Sequence, residues 1–356
     1  MAASRDTNTN DGGLIQIMKL AQVMAGSPAG GAELFYERLT AALGRAGDEV
    51  TAIIRRDPAR AERLRAAGLQ PIELRFGGPL DVLTGPRLGR ALRAVEPRVV
   101  VAWMNRAARF TPTGNWVLVG RLGGYYDLSY YRRCDHLVGN TRDIVDWIVG
   151  QGWPADRAHY LPNFVDDLAD ARPADLPVPT GRRILLGLGR LHRNKGFDVL
   201  IRAMRALPDA HAVIAGEGPE RGALEALARE TGVADRVSFP GWRADTAALF
   251  AAADVFVCCS RHEPLGNMVL EAWSARRPVV AAAAQGPKEL IVPDETGILV
   301  PIDDADRLAA GIRRVLDNAE TTKRLAEAGR RRYEADFAEA PVVARWRDFL
   351  TTVEKA

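Results

Sequence analysis

Short runs of β-branched and aliphatic residues alternate along this chain with segments whose apolar residues recur every three or four positions. In the first half, Leu14–Gln22, Glu49–Ile54, Pro71–Phe76, Val99–Met104, Trp116–Leu122 and His136–Gly139 read as strands. Between them, Gly31–Gly47, Pro58–Gly68, Pro86–Val95 and Thr141–Gln151 carry helical spacing. That alternation predicts βαβ units and a parallel sheet. The stretch Asp166–Gly181 mixes acids and prolines without sustained periodicity and reads as a linker.

After it the pattern restarts. Strands are expected at Arg183–Leu188, Ala210–Ala215, Arg236–Phe239, Asp254–Cys258, Pro278–Ala282 and Gly297–Val300, with helices near Gly196–Leu207, Pro219–Thr231, Asp245–Ala253, Asn267–Ala275 and Ala305–Leu316. The simplest architecture is two similar α/β domains with a cleft between them, ligands lying at the carboxyl ends of the strands. The expected division is a flexible N-terminus over 1–13, a first domain over 14–166, a linker over 167–182, a second domain over 183–335, and a C-terminal helix over 336–356 that crosses back to brace the first domain.

Composition narrows the function class. With 356 residues, 47% hydrophobic and 26% charged, the chain is long enough for two cores and ordinary for a soluble protein. No apolar run approaches the ~18 residues of a membrane span, and a polar start without an apolar signal core suggests the cytoplasm. Three cysteines, two of them adjacent, make neither a disulfide framework nor a metal site. The net charge of +3 argues against a dedicated nucleic-acid binder. Locally, nine arginines face two acids between Arg87 and Arg133, a segment suited to phosphates or an anionic membrane surface, or simply to solvent.

Several constellations carry chemistry. In ILLGLGRLHRNKGF a buried run ends at Gly189, and Arg190 and Lys195 follow in the loop before a helix, placed to hold a diphosphate. In AVIAGEGPER the glycines flanking Glu217 allow a tight strand-to-helix turn, but the third glycine of a dinucleotide fingerprint would fall on Arg221, so a nicotinamide site is excluded. In SRHEPLGNMVLEAW, Glu263 precedes Gly266, Asn267 and Met268 at a helix start, and Glu271 follows eight residues after Glu263. First-turn amides accept anions or sugar hydroxyls, and a carboxylate within an apolar helix needs a partner. Asp304-Ala305-Asp306 reads as helix-capping acids rather than a metal motif. His192 and His262 sit beside these motifs, whereas His136, His159 and His211 fall in strand-like positions.

The order GRLHRNKG, AGEGP, FPGW, SRHEPLGNMVLEAW, GPKELI resembles the donor-binding half of the retaining glycosyltransferases of the GT-B fold, in which two Rossmann-like domains face a central cleft. The resemblance covers about Arg183 to Leu316. It implies that Glu263 approaches the donor sugar and Glu271 the nucleotide ribose, that Arg190 and Lys195 neutralise the leaving diphosphate without a metal, and that Arg243, beside Trp242, lies near the nucleobase. It implies a nucleotide-diphosphate sugar as co-substrate, no cofactor, and a glycan or glycolipid acceptor such as a lipopolysaccharide core precursor at the inner membrane surface.

In the first domain, Ala29-Gly30-Gly31-Ala32 resembles the glycine loop that approaches the donor phosphate, and Asn163 to Asp166 resembles the family's hinge. Many relatives carry a histidine after the strand equivalent to Trp116–Leu122, but here the sequence is RLGGYYDL. Tyr125 or Asp127 would then supply polar contacts to the acceptor. Two other functions fit the same fold: a sugar-nucleotide epimerase and a non-catalytic binding scaffold.

Overall fold

A computed structural model describes residues 17–26, 30–77 and 81–354; the N-terminus expected to be flexible, 1–13, and Ala29 of the glycine loop lie outside these. The first domain runs β1 (Lys19–Met24), α1 (Gly31–Arg45), β2 (Glu49–Arg55), α2 (Pro58–Ala66), β3 (Ile72–Leu74) and α3 (Thr84–Val95). It continues with β4 (Val99–Trp103), α4 (Met104–Phe110), β5 (Val117–Leu122), β6 (His136–Gly139), α5 (Arg142–Gly150) and β7 (Ala158–Tyr160). The second domain runs β8 (Arg183–Leu188), α6 (Phe197–Ala203), β9 (Ala210–Ala215), α7 (Arg221–Glu230), β10 (Val237–Ser238), α8 (Thr246–Ala252) and β11 (Val255–Cys258). It closes with α9 (Asn267–Ser274), β12 (Val279–Ala282), α10 (Gln285–Leu290), β13 (Ile298–Val300) and α11 (Ala305–Leu316), followed by α12 (Ala319–Asp336) and α13 (Glu339–Glu354).

Among the described residues the sheets are parallel, ordered β3-β2-β1-β4-β5-β6-β7 and β10-β9-β8-β11-β12-β13. In each, the order reverses beside the domain's first strand, at β1/β4 and at β8/β11. Such switch points leave a crevice at the carboxyl ends of the strands. Fully buried runs such as VVVAW on β4 and AHAVIA on β9 fill the centres, as strands covered on both faces require.

The chain crosses between domains twice, side by side. Phe164 packs in the first-domain core and Val165 in the second. On the return, Tyr333 donates its hydroxyl to the Val165 carbonyl and the Val165 amide reaches the Phe337 carbonyl. Beyond that point α13 lies on the first domain, where Trp346 stacks on Trp103 at 6.5 Å. Residues 167–182 run along the second domain, with Leu168, Ala174, Leu176 and Val178 packed on its core.

Three short elements were not legible in the sequence. β7 is a three-residue strand, only half-buried. Helix α4 starts directly at the end of β4, with Met104 in the left-handed region at φ 63°. Helix α10 spells QGPKEL, in which glycine and proline hide the helical propensity.

Candidate active site

The second-domain wall of the cleft is held together backbone to backbone. Gly189 donates to Ala215 at 3.1 Å, Leu191 to Glu217 at 2.9 Å, and Gly216 to Gly241 at 2.8 Å. Gly216 has φ 146°, and a Cβ there would stand 1.9 Å from the Gly189 carbonyl oxygen. Only glycine fits. The glycines of AGEGP therefore bring neighbouring loops into contact, and Arg221, where a fingerprint glycine would fall, binds the Phe239 carbonyl at 2.9 Å and Glu217 at 2.9 Å.

A second seam joins the loop after β8 to the loop after β11. At Gly196, with φ 65°, a Cβ would meet the Cys259 carbonyl oxygen at 2.0 Å. The Arg261 amide donates to Asn194 at 2.7 Å, while its guanidinium binds Asp198 at 2.8 Å and Asp303 at 2.6 Å. This seam sets Lys195 against Glu263, Nζ to Oε2 at 2.5 Å, with 21% and 12% of the two side chains exposed. The other Glu263 oxygen accepts from the Gly266 amide at 3.3 Å, so the carboxylate spans the lysine and the start of α9. Arg190 is exposed and makes no ion pair among the described residues.

Helix α9 begins after Gly266, which has φ 81°. The Asn267 side-chain oxygen is buried without a hydrogen-bond partner among the described residues, and Met268 packs against the core. One turn on, burial pushes the Glu271 carboxyl up to about 7, opposed by Arg38 and reinforced by Asp166. Arg38, on α1 of the first domain, pairs with Asp166 at 2.9 Å, so Glu271 faces the inter-domain crossing. Trp242 is 73% exposed, and Arg243 binds Asp245 through two nitrogens at 2.7 and 2.6 Å. Asp304 caps α11 by accepting from the Arg307 amide at 2.8 Å. Among the described residues, no group of three or more His, Cys, Asp or Glu side chains is placed to hold a metal ion.

The first-domain wall is made of side chains. Gly30 precedes α1, where an added Cβ would lie 2.4 Å from Glu33, while Gly31 has open space around it. A cavity of about 320 Å³ lies at the carboxyl ends of β1, β2, β4 and β5, lined by Arg55, Glu33, Asn105, Arg106 and Tyr126 among others. Tyr125 and Asp127 are not among its lining residues. The Tyr125 hydroxyl donates to Asp143 on α5, and Asp127 caps the following turn by accepting from the Ser129 amide at 2.8 Å. Tyr126, between them, is the residue that reaches the cavity.

Three further residues were assigned no role from the sequence, although Glu289 lies within the GPKELI motif, because each acts through a partner distant in the chain. Arg121 at the end of β5 is fully buried, donates to Asn163 at 2.6 Å and lies 4.7 Å from the Trp103 ring centroid. Glu289 on α10 accepts from the Arg142 amide at 2.8 Å, tying the second domain to α5 of the first. Arg38 is the third.

Comparison with known proteins gives this cleft its family. The model described as "Glycosyl transferases group 1" matches residues 170–332, and "Glycosyltransferase Family 4" matches 29–167. A lipopolysaccharide core biosynthesis glycosyltransferase, LpsD, of Rhizobium meliloti (strain 1021) is 35% identical over 94% of this chain and 98% of its own. The chain belongs to the group 1 glycosyltransferases. LpsE of the same organism, also a lipopolysaccharide core biosynthesis glycosyltransferase, is 35% identical over 91% of this chain and 96% of its own. The GT-B fold is shared with HepE of Anabaena, solved with UDP, at TM-score 0.80 and 21% identity, covering 94% of this chain and 100% of that one. This group 1 glycosyltransferase moves a sugar from a nucleotide-sugar donor to an acceptor, which sets aside the epimerase and scaffold readings.

Proposed function

We propose that the donor's diphosphate lies against Arg190 and Lys195, that its ribose meets Glu271, that its base lies near Trp242, Arg243 and Glu217, and that transfer proceeds with retention at the anomeric carbon. The observation that carries this reading is the seam that puts Lys195, Glu263 and the first turn of α9 beside one another at the switch point of the second sheet. Arrival of a diphosphate gives Lys195 a second anion to share with Glu263. As the anomeric C–O bond breaks, its electron pair passes to the β-phosphate oxygen, where the two cations stabilise it. The acceptor oxygen then bonds to the anomeric carbon on the same face, and its proton goes to that phosphate oxygen. No metal is needed in this scheme.

The acceptor we propose is a lipopolysaccharide core saccharide or a related envelope glycan, in keeping with what LpsD and LpsE are named for. No helix among the described residues is long and apolar enough to cross a membrane. We place the enzyme in the cytoplasm, touching the inner membrane surface through the arginine-rich segment that includes Arg109, Arg132, Arg133 and the exposed Tyr130. Binding to anionic vesicles should then exceed binding to neutral ones and weaken with salt. Equal, salt-insensitive partitioning would remove the membrane from this reading.

Two measurements test the donor site. A thermal-shift screen of UDP-, GDP-, ADP- and dTDP-sugars should find one that stabilises the enzyme. With that donor, Lys195→Ala should lower kcat by roughly 10²-fold, as loss of one preorganised charge contact does elsewhere. Near-normal turnover would sink the mechanism.

A further inference from the structure

The cavity in the first domain is lined by two arginines, Arg55 and Arg106. On α2, the helix that follows β2, the arginines are spent on internal partners: Arg60 and Arg63 share Glu37 at 3.1 and 2.6 Å, and Arg65 pairs with Glu73 at 3.2 Å. Arg55, the last residue of β2, and Arg106, just beyond β4, line the cavity and make no hydrogen bond or ion pair through their side chains among the described residues. Arg55 is half-buried, which is costly for a guanidinium without an anion beside it.

Beneath the same wall stands a third cation. Arg121 is fully buried; its Nε and Nη1 lack partners among the described residues, and burial brings its pKa down to about 10. Its charge acts on Tyr126, which lines the cavity. The Asn105 side-chain oxygen is taken by the Tyr131 hydroxyl at 2.9 Å, leaving its NH2 group to donate elsewhere. Met104, also in the lining, keeps the left-handed φ of 63° that a long side chain rarely adopts, a strain typical of ligand sites. Among the described lining residues Glu33 is the one carboxylate.

We infer that this cavity binds an anionic substituent, phosphate or carboxylate, on the sugar unit that accepts the transferred residue, with Arg55 and Arg106 as its two ligands. The inference rests on the glycosyltransferase reading of the cleft and adds the chemical class of the acceptor. About 320 Å³ is at the small end of ligand sites and fits one sugar ring with its substituent. The planar guanidinium, with paired donors, matches both anions, whereas a neutral sugar would leave two cations without a partner.

The test uses the full chain carrying Arg190→Ala and Lys195→Ala, which removes the cations of the opposite wall as an alternative phosphate site. Glucose 6-phosphate, glucuronate and glucose are titrated by ligand-observed NMR into this protein and into versions also carrying Arg55→Gln and Arg106→Gln, singly and together. At least one anionic sugar should bind tenfold or more tighter than glucose, and the double Gln variant should abolish that preference without lowering its thermal midpoint. Arg55→Lys with Arg106→Lys should restore part of it, since charge returns without the paired donors. Tighter binding of glucose 6-phosphate identifies a phosphate ligand, and tighter binding of glucuronate a carboxylate. Equal binding of all three sugars, or a preference that survives the double Gln change, would overturn the inference. Failure of every nucleotide sugar to stabilise the unmodified enzyme would instead count against the donor reading, so the two failures are told apart.

Discussion

The two walls of the cleft are built by different means. On the second-domain side, loops are joined by backbone hydrogen bonds at 2.7 to 3.1 Å, with glycines where a Cβ would clash at about 2 Å, and Lys195 is paired with Glu263 while Arg190 makes no ion pair among the described residues. On the first-domain side the cavity is shaped by side chains, and its two arginines have no partner among the described residues. A backbone-built wall tolerates little change, which suits the diphosphate and ribose contacts proposed for it. A side-chain wall can be re-specified by substituting a few residues, which suits a fold that serves many acceptors.

Glycine substitutions should break this comparison most sharply. At Gly216 an alanine Cβ would need the Gly189 carbonyl to move, at a φ of 146° that alanine resists. Gly216→Ala should cost about 3 kcal/mol or more of stability, in the class of large backbone effects. Gly31→Ala, at the first residue of α1 with open space around it, should change stability by no more than ~0.5 kcal/mol. Thermal unfolding of both variants checks this. Similar losses at the two positions would mean that the walls do not differ in the way described.

The same contrast explains what the sequence revealed. Strands β8 and β9 were legible to the residue because each is a buried apolar run with turn residues beyond it, and α11 because Asp304 caps it. Motif spacing marked Lys195, Glu263 and Glu271, since a wall held by local loops leaves its pattern in consecutive residues. The contacts of Arg38, Arg121 and Glu289 were silent, even with Glu289 inside the GPKELI motif, because their meaning lies in Asp166, Asn163 and the Arg142 amide, each far away in the chain. Tyr125 and Asp127 were read for polarity, whereas local geometry commits them to Asp143 and Ser129 and turns Tyr126 to the cavity. A one-residue shift of that kind depends on loop conformation, which composition does not encode.

Within the second wall, Glu263 and Glu271 should separate in kinetics, an effect of roughly tenfold or more in each parameter. Glu263 binds Lys195, and in the proposed mechanism it lies where positive charge develops at the anomeric carbon, so that its carboxylate would help more in the transition state than in the ground state. Glu263→Gln should mainly lower kcat. Glu271 would hold the ribose, a contact that hardly changes as the sugar bond breaks, and Glu271→Gln should mainly raise the donor KM. Measured at saturating acceptor, the reverse pattern would exchange the two roles.

A pH-dependent effect arises where the walls meet. Burial holds the Glu271 carboxyl up to about 7 from an ordinary 4.5, so the folded protein keeps this proton in a range where the unfolded chain releases it. Stability therefore falls as pH rises from about 4.5 to about 7, and the penalty is constant above that. Glu271→Gln removes the ionisable group. The variant should be more stable than the parent by up to about 3 kcal/mol at pH 8, and the gap should close towards pH 4.5. Arg38 opposes the shift from the other domain, so Arg38→Ala should push the Glu271 pKa higher and move the upper end of this window with it. Unfolding midpoints from pH 4.5 to 8.5 for the parent and both variants decide the matter. A gap independent of pH would mean that Glu271 ionises normally, and an Arg38 variant with an unmoved window would mean that the first domain does not act on it. If donor binding requires the ionised carboxylate, donor affinity should rise through the same window in which the free enzyme loses stability, because the ribose would then hold the charged form that burial disfavours.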